Sequence, residues 1–94
     1  MTRENLEKLI DFTRDESVTI EAKGLMLYML AHANHYGWCY ATPAKMMKDL
    51  NIEEETLNKC LKELEETGDV SNRKGQINSV EFNLNEYWVN WVIS

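Results

Sequence analysis

Residues 42–68 read TPAKMMKDLNIEEETLNKCLKELEETG and predict two helices joined by a tight turn. The first helix begins with a capping residue, Thr42, followed by Pro43 at the first helical position, where proline is favoured. Its apolar side chains recur at helical spacing over about two turns. Those expected to face inward are Ala44, Met47 and Leu50. Asn51 then stands where the chain must turn.

The second helix of this stretch has the clearest one-sided pattern in the chain. Apolar side chains recur every three or four residues, as in a helix that buries one face. These side chains are Leu57, Cys60, Leu61 and Leu64. Glu53, Glu54 and Glu55 occupy the first turn, where the helix dipole favours anions, and Gly68 is expected to end the helix.

Two further helices are predicted before residue 42. Thr2 can cap a short helix within residues 1–15, and its apolar residues are Leu6, Leu9 and Ile10. Thr19 is the next capping residue, and residues 20–36 form a long apolar run that predicts a buried helix. Its inward stripe is expected to contain Ala22, Leu25, Met26, Leu27, Met29, Leu30 and Ala33. Gly37 stands in the position of a terminating glycine.

Strands are predicted around this helical region. Residues 38–41 are short, aromatic and typical of a strand. After Gly68 the apolar period changes to two: residues 69–73 predict a strand, Lys74-Gly75 a turn, and residues 76–84 a returning strand. Residues 85–94 carry several aromatic side chains at spacings that fit a short helix.

This order of elements resembles a winged helix-turn-helix domain. The resemblance is carried by residues 19–25, 42–50, 51–57 and 61–68, which look like the first helix and the helix-turn-helix of winged domains in plasmid and phage replication initiators and replisome organisers. It covers roughly residues 6–84 and implies a mainly α (α+β) fold. It further implies that residues 53–67 form a helix that enters the major groove, and that the hairpin forms the wing.

The length and composition predict one domain with four parts. The chain has 94 residues, 44% hydrophobic and 28% charged, with a formal net charge of −6. The expected parts are an N-terminal helix (1–15), a helix-turn-helix core (19–68), a wing (69–84) and an aromatic tail (85–94). No apolar run approaches the roughly 18 residues of a membrane span, so no membrane association is expected. Two cysteines do not make a disulfide framework, which favours a reducing, cytoplasmic setting.

Double-stranded DNA is the first partner that this pattern predicts. If the apolar stripe of the second helix faces the core, its polar residues face outward. Asn58 could then read a base edge, while Lys59 and Lys62 could meet phosphates or a guanine. The complete predicted DNA-binding set is Lys45, Lys48, Thr56, Asn58, Lys59, Lys62, Arg73 and Lys74. Such a protein would be a small regulator or replication accessory factor of plasmid or phage type.

The acidic residues favour a second hypothesis. Residues 42–75 hold six cations and eight anions, a formal charge of −2. Glu53, Glu54 and Glu55 would approach the phosphate backbone in the usual docking pose and weaken binding. Stabilisation of the helix start by these carboxylates is also enough to explain them. The alternative function is an acidic protein-interaction module or inhibitor that mimics nucleic acid, similar in size and charge to anti-CRISPR proteins. Its partner would be a nucleic-acid-binding protein.

The aromatic tail also has two interpretations. Tyr87, Trp88 and Trp91 either fold back over the first helices and complete the core, or form an exposed face for a partner or a homodimer. Together with Glu53, Glu54 and Glu55 they make up the interaction surface of the alternative hypothesis.

Catalysis, metal binding and cofactor binding are not predicted. His32 and His35 are three apart on the predicted helix with Cys39 nearby, but no fourth ligand is evident, so surface histidines are expected rather than a zinc site. The glycines stand singly and form no phosphate-binding loop, and the carboxylates are not paired in an apolar setting. The small core also leaves little room for a substrate pocket.

Overall fold

The computed structural model describes residues 3–74, 80–84 and 88–90 of the chain. The helices of these residues are α1 (Arg3–Thr13), α2 (Ile20–His32), α3 (Pro43–Leu50) and α4 (Glu54–Glu66). The strands are β1 (Trp38–Cys39), β2 (Val70–Lys74) and β3 (Val80–Leu84). The predicted mainly helical winged helix-turn-helix fold is confirmed, with α3 and α4 as the helix-turn-helix and β2–β3 as the wing.

The start of α2 lies where the sequence predicts it. Thr19 has an extended backbone, and its hydroxyl oxygen accepts a hydrogen bond from the backbone N–H of Ala22 at 3.3 Å. The side chains that α2 buries are Ala22, Leu25, Met26 and Met29. Leu27, which was expected to widen this stripe, is 38% exposed.

The predicted end of α2 is wrong. The helix stops at His32, four residues before Tyr36, because the chain turns at Asn34. The Asn34 side-chain oxygen accepts hydrogen bonds from the backbone N–H groups of Tyr36 (2.9 Å) and Trp38 (3.0 Å). Asparagine side chains compete in this way with the helical hydrogen bonds that would otherwise continue.

Gly37 therefore belongs to the turn after α2. Its φ of +84° lies in the region that favours glycine. Its carbonyl oxygen accepts the backbone N–H of Leu84 at 2.8 Å, and a Cβ at this position would clash with the Val89 side chain. The glycine thus permits close contact between the turn, β3 and the tail.

The helix α3 begins as predicted but buries a different edge. The Thr42 hydroxyl oxygen accepts the backbone N–H of Lys45 at 3.2 Å. Met46 is fully buried, whereas Ala44 is exposed and the other two predicted inward residues, Met47 and Leu50, are partly buried. Met46 and Met47 are adjacent and identical, and the packing buries Met46 fully and Met47 only in part. Asn51 adopts the left-handed conformation (φ 54°) at the predicted turn.

The apolar stripe predicted for α4 is confirmed. Its four members, Leu57, Cys60, Leu61 and Leu64, are all buried. The chain leaves the helix through Gly68, whose φ is +81°. The backbone N–H of Asp69 then donates to the carbonyl oxygen of Leu64 at 3.0 Å and directs the chain into β2.

The first strand of the wing lies one residue later than the sequence predicts, at Val70–Lys74 rather than at residues 69–73. The antiparallel register runs from Val70 opposite Leu84 to Lys74 opposite Val80, so Lys74 is paired in β2 rather than being part of the turn. Residues 75–79, where the other part of the predicted turn falls, lie outside the described residues. Phe82 and Leu84 are buried, which confirms the predicted alternation.

The strand β1 joins the wing and completes a sheet in the order β1-β3-β2. Cys39 is the register partner of Phe82, and both side chains are fully buried. The sequence predicts the strand at residues 38–41 but not its partner, because pairing across more than 40 residues leaves no local pattern.

The tail residue Trp88 completes the core against α1. Its ring meets that of Phe12 edge to face, with centroids 4.9 Å apart, and its indole N–H donates to Asp69 at 3.0 Å. Trp88 is 1% exposed, so its side chain is part of the core and cannot form part of an exposed interaction face. Tyr87 and Trp91, which were considered together with it, lie outside the described residues.

Candidate nucleic-acid interface

The outer face of α4 is a charged stripe opposite the core. Side chains three and four residues apart share a helix face. The stripe turned away from the core contains Glu55, Lys59, Lys62 and Glu66, and all four residues are exposed. Asn58 is exposed beside this stripe, and Thr56 is half-buried at its other edge. The structure therefore presents Asn58, Lys59 and Lys62 to solvent along one helix, as a DNA-reading helix requires.

An open groove separates this stripe from the start of α2. It has a volume of about 300 Å³ and is lined by Thr19, Lys59, Lys62, Glu63 and Glu66. A smaller depression of about 130 Å³ adjoins it, since the two share Thr19 and Lys59. Thr56 lines the smaller one, so the structure brings together three of the predicted DNA-binding residues along one side of α4.

Glu63 makes a contact that the sequence does not reveal. Its carboxylate accepts the backbone N–H of Thr19 at 3.1 Å through Oε1 and the Thr19 hydroxyl at 2.6 Å through Oε2. Glu63 was expected to be a solvated outward residue, but it is half-buried and bridges α4 to α2. The two residues are 44 positions apart, and the sequence shows only that Glu63 lies three residues after Cys60, at the edge of the apolar stripe.

Lys45, on α3, is engaged by an intramolecular ion pair. Its Nζ lies 3.5 Å from a carboxylate oxygen of Asp49, and the same oxygen accepts the Tyr28 hydroxyl at 2.7 Å. Tyr28 in turn packs on His32 with ring centroids 4.3 Å apart. Lys45 is thus less available to a phosphate than Lys48, which is exposed on the same helix.

The contact between Tyr28 and Asp49 changes the proton affinity of both groups. The hydrogen bond from Tyr28 holds the pKa of Asp49 below its usual value, and the nearby Lys45 lowers it further. Burial raises the pKa of Tyr28 to about 12, and the Asp49 carboxylate adds to this shift. At neutral pH the phenol is protonated and the carboxylate charged, so the hydrogen bond joins α2 to α3.

The wing cations can be placed by backbone position. Arg73 is the register partner of Glu81, and Lys74 is the last described residue of β2. The side chains of both lie outside the described part of the chain. Their place at the far end of the wing keeps them candidates for phosphate contacts.

The start of α4 is strongly acidic. Glu53, Glu54 and Glu55 are all exposed, and Glu53 occupies the capping position without a side-chain capping hydrogen bond. Dipole stabilisation accounts for the two glutamates of the first turn, but side-chain capping does not account for Glu53. Residues 53–66 hold two lysines and six glutamates, a formal charge of −4.

The histidines and cysteines form no metal-binding group in the part of the chain that the structure describes. His35 lies beyond the end of α2, so His32 and His35 do not share a helix face. Cys39 and Cys60 are free and buried, and burial raises the pKa of both thiols. None of the described helices is long and apolar enough to cross a bilayer.

Comparison with known proteins finds similarity to one domain family and to solved structures. Residues 19–68, which are 50 of the 94 residues, match the profile of a helix-turn-helix domain family. The fold is similar to that of a mutant of ZitR from Lactococcus lactis, with a TM-score of 0.61 and 19% sequence identity. The similar region covers 90% of this chain and 63% of the ZitR chain, so this chain spans less than two thirds of that protein's length. At this identity the likeness shows the fold alone. The curated proteins include no match.

Proposed function

Because this chain belongs to the helix-turn-helix domain family, we propose that it binds double-stranded DNA through α4 and the wing. One observation carries the proposal: α4 buries four side chains on one face and presents Asn58, Lys59 and Lys62 to solvent on the other. A helix held in this way can enter the major groove without losing its packing.

The charges of α4 and the wing determine the affinity and the salt dependence of this binding. Asn58 is assigned to a base edge, Lys59 and Lys62 to phosphates or a guanine, and Lys48 to the backbone. Arg73 and Lys74 would add phosphate contacts from the wing. Binding is then weak, with a shallow salt dependence, because few cations are available and residues 53–66 carry a charge of −4.

The biological role that we propose is that of a small regulator or replication accessory factor of plasmid or phage type. Its support is the resemblance of the helix-turn-helix segments to such proteins. A homodimer in the cytoplasm is part of this proposal, and it is supported by the exposure of two apolar side chains one turn apart on α1, Leu6 (47%) and Ile10 (38%). Sedimentation equilibrium tests the dimer, and a monomer at high micromolar concentration would contradict it.

The DNA proposal is tested by selection from a genomic fragment library at low and moderate salt. We expect sequence-selective retention, and Lys62→Gln should weaken it and reduce the salt slope by about 1. Arg14→Gln is the matched control, since it removes one exposed positive charge outside the helix-turn-helix. Retention that is unselective at both salt concentrations, or equal effects of the two variants, would overturn the proposal.

A second candidate function is favoured by the exposed glutamates at the start of α4. Glu53 occupies the capping position of α4 without a side-chain capping hydrogen bond, and its exposed carboxylate can contact a partner. In this alternative, the acidic face mimics nucleic acid and binds a nucleic-acid-binding protein. A pull-down from the native host with and without nuclease separates the two functions. Capture of such a protein after nuclease treatment, lost in the Glu53→Lys/Glu54→Lys/Glu55→Lys variant, would support the alternative.

A further inference from the structure

The contact between Glu63 and Thr19 carries an inference about how α4 recognises DNA. We infer that Glu63 is a positioning residue, which holds α4 at the angle that presents Lys59 and Lys62 to the major groove. The inference rests on the proposed DNA-binding function. Glu63 is acidic, and an acidic residue on a DNA-reading helix ordinarily repels the phosphates.

Both oxygens of the Glu63 carboxylate are occupied by Thr19. They accept its backbone N–H at 3.1 Å and its hydroxyl at 2.6 Å. Hydrogen bonds to an ionised acceptor are stronger than neutral ones, and the N-terminus of a helix favours an adjacent anion. Thr19 is the N-cap of α2, so the carboxylate joins α4 to the start of the helix beside it.

The position of Glu63 around α4 makes this contact sensitive to rotation. Residues three apart differ by about 60° around a helix, which places Glu63 between the buried Cys60 and the exposed Lys59. The core stripe holds α4 from one side, and the Thr19 contact holds it from the flank. Rotation of α4 about its own axis would break this contact and move Lys59 and Lys62 together. The contact therefore fixes the direction in which both lysines point.

Glu66 provides a matched control within the same groove. It carries the same charge, lies three residues further along α4 and is exposed at the groove wall. Removal of a carboxylate that only repels phosphate strengthens DNA binding, so Glu66→Gln should raise the affinity by about twofold. Glu63→Gln removes the same charge, but it replaces one of the two acceptor oxygens with an amide NH₂ donor. We expect it to lower the affinity by about three- to tenfold and to make the salt slope shallower, because the two lysines lose their phosphate contacts.

Thr19 supplies the second arm of the experiment. Thr19→Val removes the hydroxyl and should weaken DNA binding, whereas Thr19→Ser keeps it and should retain the affinity of the parent. Glu63→Gln combined with Thr19→Val should lose little more than the larger single effect, because both changes break the same contact. Thr19→Val also removes the α2 cap, so affinities are measured at a temperature where thermal melts show every variant folded.

The results distinguish failure of the inference from failure of the proposed function. If the parent protein retains no DNA selectively, the DNA-binding function is overturned, and this inference with it. If the parent binds DNA and folded Glu63→Gln binds as tightly or more tightly, only the positioning role is overturned. A weaker Glu63→Gln whose salt slope equals that of the parent also overturns it, since loss of folded protein alone leaves the slope unchanged.

Discussion

The helices α3 and α4 begin in different ways, although they form one motif. The start of α3 is capped by the Thr42 hydroxyl, which accepts the N–H of Lys45 at 3.2 Å, and Pro43 occupies its first position. The start of α4 has Glu53 at the capping position without a side-chain capping bond, followed by two acidic residues. One start is stabilised by a hydrogen bond, and the other by charge near the helix dipole.

The two helices also differ in how they are attached to the rest of the protein. Met46 is the fully buried residue of α3, while α4 buries Leu57, Cys60, Leu61 and Leu64. The shorter helix is joined to α2 by the hydrogen bond between Tyr28 and Asp49, and this network also engages Lys45. In α3, Lys45 takes part in the attachment of its own helix. In α4, four buried side chains and the Glu63 carboxylate hold the helix, and Lys59 and Lys62 stay exposed.

The largest loss of stability is expected when a core side chain of α4 is shortened. Leu64 is fully buried, so Leu64→Ala should lower the free energy of unfolding by about 3 kcal/mol. Urea denaturation measures this loss. Lys62→Ala, on the outer face of the same helix, should change it by less than about 0.5 kcal/mol. Similar effects of the two variants would contradict the view that packing holds α4.

The next largest loss of stability is expected when the cap of α3 is removed. Thr42→Ala removes the acceptor for the N–H of Lys45 and should lower the free energy of unfolding by about 1 kcal/mol. Thr42→Ser keeps the hydroxyl and should retain most of the stability. Urea midpoints compare the three proteins, and an alanine variant as stable as the parent would show that the cap contributes nothing to α3.

The hydrogen bond between Tyr28 and Asp49 should stabilise the protein in a pH-dependent way. Tyr28→Phe removes the hydrogen bond to Asp49 and should cost about 1 kcal/mol at neutral pH. The folded protein raises the pKa of Tyr28 to about 12, so the stabilisation is complete below the ordinary tyrosine pKa of about 10 and is lost as the pH rises towards 12.

The control for this effect is the stability of the Tyr28→Phe variant over the same pH range. The buried Cys39 and Cys60 thiols are present in both proteins, so the difference between the two stability curves reports the loss of the phenol. Curves that stay parallel between pH 10 and 12 would contradict the raised pKa.

The sequence predicts those parts of the motif that depend on near neighbours. The Thr42 cap, the apolar stripe of α4 and the alternation of Phe82 and Leu84 each follow from local spacing. The predicted end of α2 fails because the side chain of Asn34, rather than a glycine, sets where the helix stops.

Contacts between distant residues leave no pattern of this kind. Thr19 meets Glu63 across 44 positions, and Tyr28 meets Asp49 across 21. The sequence therefore names the charged residues of the candidate interface, but it does not show which of them are already engaged within the protein. Lys45 pairs with Asp49 and Glu63 is held by Thr19, but local spacing does not show that either side chain is engaged.

The smallest effect concerns the start of α4 and sharpens the comparison with α3. Glu53→Ser supplies a hydroxyl at a capping position that has no side-chain bond, and we expect the free energy of unfolding to rise by about 0.5 kcal/mol. The gain is smaller than the loss in Thr42→Ala because the substitution also removes a carboxylate from the positive end of the helix dipole. Urea denaturation at low salt measures the change.

Glu54→Ser is the control, because it removes the same charge from the first helical turn rather than from the capping position. It should lower the free energy of unfolding by about 0.3 kcal/mol. A loss in both variants would mean that the glutamates stabilise the start of α4 as effectively as a capping hydroxyl. Helix stability alone would then explain the acidic start. A gain in Glu53→Ser would instead show that Glu53 lowers the stability of the protein, as the proposed contact with a nucleic-acid-binding protein allows.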